Sequence, residues 1–241
     1  MPENGSDAGG RLRVILTAVI AALLVPAAIF LGVAVWNDRK YYIVSLIIIL
    51  LSMLPFALRF EQKKLRAREL VVLAAMIAIG VAARAAFYML PQFKPIAAIA
   101  IITGVAFGCE SGFIAGAMII FVSNFIFGQG PSTPWQMEAL GLVGSIAGLI
   151  FHRKGENEPK TIPLVIYGAL SVMLVYGPIA DASTLFTVYD DISWKLAATV
   201  FSAGVPFNLI HAAATVVFLF ILAKPLLKKL NRVRVKYGLL E

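Results

Sequence analysis

The chain has 241 residues, of which 60% are hydrophobic and 14% charged. A soluble domain needs roughly a quarter of its residues charged; here charge is too sparse and the apolar residues too clustered, which excludes an ordinary soluble fold and makes the bilayer the expected solvent. The net charge of +8 lies at the ends of apolar runs and forms no aromatic-interleaved patch, which argues against nucleic acid, and the lone Cys109 excludes an intramolecular disulfide.

At roughly 20 residues per span, this length accommodates about six to eight membrane helices with short connections. Residues 1–10, MPENGSDAGG, read as a disordered tail. Residues 14–35 form the first apolar run, with Pro26 at a predicted kink; the run is too long for a signal-peptide core and no clean small-residue cleavage site follows, so a retained span is expected. The second run covers 41–58, and a basic stretch with Arg59, Lys63, Lys64, Arg66 and Arg68 follows it. The third covers 70–90. Pro91 and Pro95 then bracket a turn before a short fourth run, 96–108, paired as a hairpin with the fifth, 113–127, across a glycine turn at 108–112. The loop GQGPSTPWQ precedes the sixth run, 137–151; the polar connection HRKGENEPK leads to the seventh, 162–180; the eighth is 196–223, followed by a basic tail, 224–241. The runs lack a period of two, so strands are not expected. Helices satisfy their own backbone groups inside lipid, and the expected fold is an all-α polytopic bundle.

Lys and Arg set the orientation. With eight spans and the N-terminus inside, 16 of the 21 basic residues face the cytoplasm, only Arg39, Lys40, Lys94 and Lys195 face outside, and Arg84 lies within a span. Both termini are therefore expected in the cytoplasm. The outside connections are 36–40, 91–95, 128–135 and 181–195; the last three carry Pro, Gly, aromatic and hydrogen-bonding residues suited to a small-molecule cap.

Ala74, Ala78, Ala82 and Ala86 recur every four residues and share one face of the third span. Such a strip lets another helix approach closely, either a neighbour in the same chain or another membrane protein. Arg84, in the same span, is costly in lipid and calls for a polar cavity, a partner, or snorkelling to the surface. Asn124, Glu138, Asn208 and His211 are the other polar residues in or near spans; Asn208 and His211 share a face after Pro206, serving as an interhelical hydrogen bond or as the wall of a binding cavity. Gln129, Trp135 and Gln136 are placed to close over such a cavity, although Trp135 also suits an interfacial anchor. The sequence has no HExxH, no phosphate-binding GxxxxGK[ST] loop and no nucleophile elbow. No catalytic residue, cofactor or metal is expected. A membrane-embedded enzyme acting on a lipid or isoprenoid is the alternative, and a ligand-free assembly protein a third reading.

The runs ARAAFYMLPQFKPIAAIAIITGVAFG, GFIAGAMIIFVSNFIFGQGPSTPWQM and GLVGSIAGLIF resemble the S components of energy-coupling factor transporters. The likeness is densest over 69–151 and continues more weakly to about 223. It implies a six-helix substrate-binding core over 70–223, with 11–69 holding two additional N-terminal transmembrane helices and the basic loop. It also implies capture of a vitamin or related micronutrient from outside, a T component and two ATPase subunits as partners among membrane lipids, and location in a bacterial cell membrane. The alanine strip would then dock on the T component. The loops and the last three helices would line the substrate site, making Arg84, Phe93, Asn124, Gln129, Trp135, Gln136, Asp181, Asn208 and His211 the candidate contacts. Among S components the motifs are most similar to cobalamin-type members.

Overall fold

The structure, a computed structural model, describes residues 67–152, 160–189 and 193–237. The expected tail 1–10, the spans 14–35 and 41–58, and Arg59, Lys63, Lys64 and Arg66 lie outside the described residues, as do most of the connection 152–160 and the loop carboxylates Asp190 and Asp191.

The described helices are α1 (Ala67–Ala86), α2 (Ile96–Phe107), α3 (Cys109–Phe127), α4 (Thr133–Phe151), α5 (Thr161–Ser171), α6 (Gly177–Val188) and α7 (Trp194–Tyr237). A π-helical segment, Val172–Tyr176, joins α5 to α6, so 161–188 forms one rod. No strand occurs among the described residues. Among the described residues four helical stretches are long and apolar enough to cross a bilayer: Ala67–Ala86, Cys109–Phe127, Thr161–Val188 and Trp194–Val233. Ile79, Phe125, Ile166, Leu174 and Phe220 lie exposed on the outside of the bundle, as lipid contact requires. The protein is an all-α polytopic membrane protein.

The centre of the bundle is α2. Its sequence, IAAIAIITGVAF, is apolar on every side, and all 12 residues are buried, the pattern of a helix surrounded by others. At 1.5 Å per residue it spans about 18 Å, well short of the roughly 30 Å hydrocarbon core. It stops at Gly108, where φ is 94°, and α3 starts at the next residue. The glycine turn expected over 108–112 is thus a single residue, because the left-handed conformation at Gly108 reverses the chain at once; Ser111 and Gly112 belong to α3 and are buried.

Glycines set how closely α2, α3 and α4 approach. A Cβ on Gly104 of α2 would run into the Gly144 carbonyl of α4, and one on Gly112 of α3 would meet the same carbonyl. One on Gly144 would meet the Gly112 carbonyl, and one on Gly116 the Leu140 carbonyl. The three backbones therefore touch with no side chains between them. Lipid supplies no hydrophobic drive between helices, so this dispersion contact is a main source of their association. Polar side chains inside the packing return to backbone: the Thr103 hydroxyl donates to the Ile99 carbonyl at 2.8 Å and Tyr167 to the Val143 carbonyl at 2.6 Å.

Four boundaries differ from the sequence expectation. Helix α1 ends at Ala86 and not at 90, with turns over 87–90. Helix α4 begins at Thr133 and not at 137, since Pro134 suits a first turn and the Thr133 hydroxyl accepts the Gly130 N–H at 3.1 Å. The seventh run continues to Val188, so 181–195 is not a long loop and Asp181 lies on a helix. The hydroxyls that made this stretch look like a loop bond back along the helix, Ser183 to Ala180 and Thr187 to Ser183. The expected tail beyond 223 continues α7 as helix to Tyr237.

Adding a methyl at the centre of the glycine contact is expected to destabilise the bundle. Overpacking a tight interior costs about 1–3 kcal/mol, so Gly144→Ala should lower the unfolding temperature of the detergent-solubilised chain. Gly130→Ala, where an added Cβ meets nothing within 4 Å, should leave it unchanged.

Candidate ligand site

Helices α1 and α3 run side by side: Gly80 seats on Ile119, and one turn later Arg84 reaches Ser123 and Asn124. Helix α4 starts at the same end, α6 reaches it at Phe186 against Trp135, and α7 passes it at His211 and Phe218, which brings residues far apart in sequence to one end of the bundle.

The half-buried Arg84 is the most heavily engaged of them. One of its terminal nitrogens donates to the Ser123 hydroxyl and to Asn124 Oδ1, the latter at 2.6 Å. Asn124 Nδ2 in turn donates to Thr133 Oγ1 at 2.9 Å, which ties α1, α3 and the first turn of α4 into one chain of bonds. The guanidinium carbon stands 5.2 Å from the centre of the Phe127 ring, a cation–π distance. Arg84 Nε is buried without a hydrogen-bond partner among the described residues. Snorkelling is therefore not what Arg84 does; it turns inward.

His211 of α7 is buried with both ring nitrogens unpartnered among the described residues. Its ring meets Tyr176 edge to face at 4.6 Å, and Lys94 and Arg84 are its charged neighbours. Tyr176 closes the π-helical segment; such one-turn insertions shift the register of a helix and are frequent at functional sites. Lys94, in the connection between α1 and α2, has its pKa lowered by partial burial and by the nearby Arg84 guanidinium.

Aromatic rings line the same end. Phe87, Phe93 and Phe218 form a trio, with Phe87 edge-on to Phe218 at 5.0 Å and Phe93 at 5.6 Å from it. Tyr88 stacks on Phe127 at 5.2 Å, and Trp135 of α4 stacks on Phe186 of α6 at 5.7 Å.

The other expected contacts divide. Asn208 Nδ2 donates to Asp181 Oδ2 at 2.9 Å, and glycines admit this pair: a Cβ on Gly177 would lie 2.6 Å from Asn208 Nδ2, and one on Gly204 would meet the Asp181 carboxylate. Asn208 and His211 thus have different neighbours, α6 carboxylate and π-segment ring. Gln129 is exposed and folds back to donate to the Phe121 carbonyl at 3.0 Å. Gln136 is half-buried in the first turn of α4. Sequence reasoning missed Ser123, Thr133, Tyr176, Phe186 and Phe218. It noticed Glu138 without placing it in the site, yet Glu138 is buried with both carboxyl oxygens unpartnered among the described residues.

The alanine strip faces the other way. Ala74, Ala78, Ala82 and Ala86 are all exposed, whereas Met76 and Gly80 carry the packing of α1 against the bundle. Among the described residues no group of His, Cys, Asp and Glu is arranged to hold a metal ion.

One protein family matches this chain: the family described as ECF-type riboflavin transporter, S component, over residues 64–232. No curated protein and no solved structure matches it.

Removing the amide that links Arg84 to Thr133 should destabilise the bundle. Asn124→Leu leaves charged and polar donors without an acceptor, a cost of about 1–3 kcal/mol, read as a lower unfolding temperature. Adding Arg84→Met should recover part of that loss, because the stranded cation is then gone; strictly additive effects would mean the two side chains are not coupled.

Proposed function

Since the chain belongs to the family of ECF-type riboflavin transporter S components, a family of transporter subunits and not of enzymes, we propose that its substrate is a flavin, captured at the Arg84 end of the bundle. S components work with a T component and ATPase subunits, so uptake is driven by ATP hydrolysed in those partners. In this reading the Arg84 end faces outside and both termini face the cytoplasm, as the Lys/Arg asymmetry of the sequence favours.

The observation that carries the ligand reading is the company of rings and unpaired polar groups at one end. Phe87, Phe93 and Phe218, with Tyr176 beside His211, offer apolar faces to a flat heterocycle. The unpartnered nitrogens of His211 and Arg84 and the carboxyl of Glu138 are buried groups that cost free energy until something bonds to them. A flavin brings both a stackable ring system and an edge of donors and acceptors. The cobalamin-type leaning drawn from the motifs has no counterpart in the family match, and the flavin reading replaces it.

Two outcomes are expected. Purified chain should quench flavin fluorescence on titration with riboflavin, and Phe218→Ala and His211→Ala should each weaken binding roughly 5- to 150-fold, the effect of losing about 1–3 kcal/mol of contact. A chain that binds cobalamin and no flavin would sink the reading. For partner docking, Ala78→Leu should abolish pull-down of the T component while ligand binding by the isolated chain survives, because the added bulk stands on the exposed face of α1, away from Arg84. Normal complex formation by Ala78→Leu would remove the strip from the interface.

A further inference from the structure

Arg84 is a cation without a counter-charge among the described residues. Its acceptors, the Ser123 hydroxyl and Asn124 Oδ1, are neutral, and its other contact is the Phe127 ring. No carboxylate pairs with it among the described residues: Asp181 is engaged by Asn208, and neither oxygen of Glu138 has a partner. Lys94 adds a second positive charge close enough to oppose the first. It too has no ion-pair partner among the described residues. Next to both stands His211, buried, with two nitrogens unsatisfied.

Neutral acceptors satisfy the hydrogens of a guanidinium but leave its charge uncompensated, and an uncompensated charge in or beside lipid is expensive. Two like charges side by side raise that cost. Arg84 Nε is buried and still lacks an acceptor. The missing element is thus one that carries both lone pairs and negative charge, offered to the buried Arg84 Nε within the field of Lys94 and beside His211.

We propose that this cluster is an anion subsite, and that the chain prefers substrates bearing an acidic group, a phosphate monoester or a carboxylate, over their uncharged counterparts. The proposal rests on the reading of the chain as a flavin-binding S component for its first probe: the phosphorylated flavin, flavin mononucleotide, should bind more tightly than riboflavin. Arg84 and Lys94 would hold the acidic group and the aromatic residues the ring system. Asn124, by staying neutral, leaves the charge of Arg84 available to the ligand.

The test compares dissociation constants of riboflavin and flavin mononucleotide for the full chain in nanodiscs of phosphatidylcholine, in wild type and in two variants. Arg84→Gln removes the charge. Asn124→Asp supplies Arg84 with a carboxylate from within the protein, and the Thr133 hydroxyl can turn to donate to it in place of the Asn124 amide, so it reports even where Arg84→Gln is poorly folded. Wild type should favour flavin mononucleotide by roughly 10- to 150-fold, the range for a charge-assisted contact. In both variants the ratio should fall toward one. Equal binding of the two flavins by wild type, or a ratio unmoved by the variants, would overturn the proposal and leave the flavin reading standing; an Arg84 neutralised by lipid phosphate gives that result. If neither flavin binds, the flavin reading fails, and the same comparison with nicotinate against nicotinamide and pantothenate against pantothenol decides the anion subsite. It stands if an acid is favoured and the variants erase the preference. It falls if the uncharged member binds as well or if no acid binds.

Discussion

Backbone contact between α2, α3 and α4 is the constraint on which the rest of the architecture depends. In water a short apolar helix such as α2 would be held by the hydrophobic effect. In lipid that effect is absent between helices, and close contact has to replace it. Gly104, Gly112, Gly116 and Gly144 remove the side chains that would keep the three backbones apart. The same contact explains how a 12-residue helix resides in a membrane protein. Buried on all sides by longer neighbours, α2 needs neither the length nor the lipid-facing surface of a full span.

Holding the bundle together at this depth frees its Arg84 end from a packing role. There the side chains are large, aromatic or polar, and several buried nitrogens and oxygens have no partner among the described residues. Elsewhere in the bundle polar side chains such as Thr103 and Ser171 bond to their own helix. On this contrast the proposed ligand site rests. Unpartnered buried groups cost free energy, and contacts made at another depth offset that cost.

Much of this was legible in the sequence, for reasons that can be stated residue by residue. Continuous apolar runs marked all six described rods, because lipid demands them. The four-residue recurrence of alanine located the exposed face of α1. Arg84, Asn124, Asn208 and His211 stood out because polar residues within spans are rare. What stayed hidden depends on register and distance. The π-helical segment at 172–176 has no composition signal, so nothing in the sequence turned Tyr176 toward His211. Phe186 and Phe218 are two among 16 phenylalanines; only the packing of α4 on α6 and of α7 on the 87–95 connection singles them out. The polar residues of 181–187 imitated a loop because their helix-internal hydrogen bonds cannot be seen in a string of letters. The contact that Gln129 makes is likewise invisible in the sequence. Its amide is spent on the Phe121 carbonyl.

Helix α1 has two unlike faces. Its inward side seats Gly80 on Ile119 and sends Arg84 into the hydrogen-bond chain through Asn124 to Thr133. Its outward side carries Ala74, Ala78, Ala82 and Ala86, all exposed. A 3.6-residue period permits this division because residues two apart, such as Ala82 and Arg84, project to nearly opposite sides. An arginine amid alanines would spoil a flat docking face if it pointed outward, and in lipid it would stand unsatisfied. Turned inward, it leaves the strip free of bulk and charge, and it finds Ser123 and Asn124 one turn beyond the point where Gly80 lets the two helices close. The small residue at Gly80 thus sets the distance at which Arg84 can reach across.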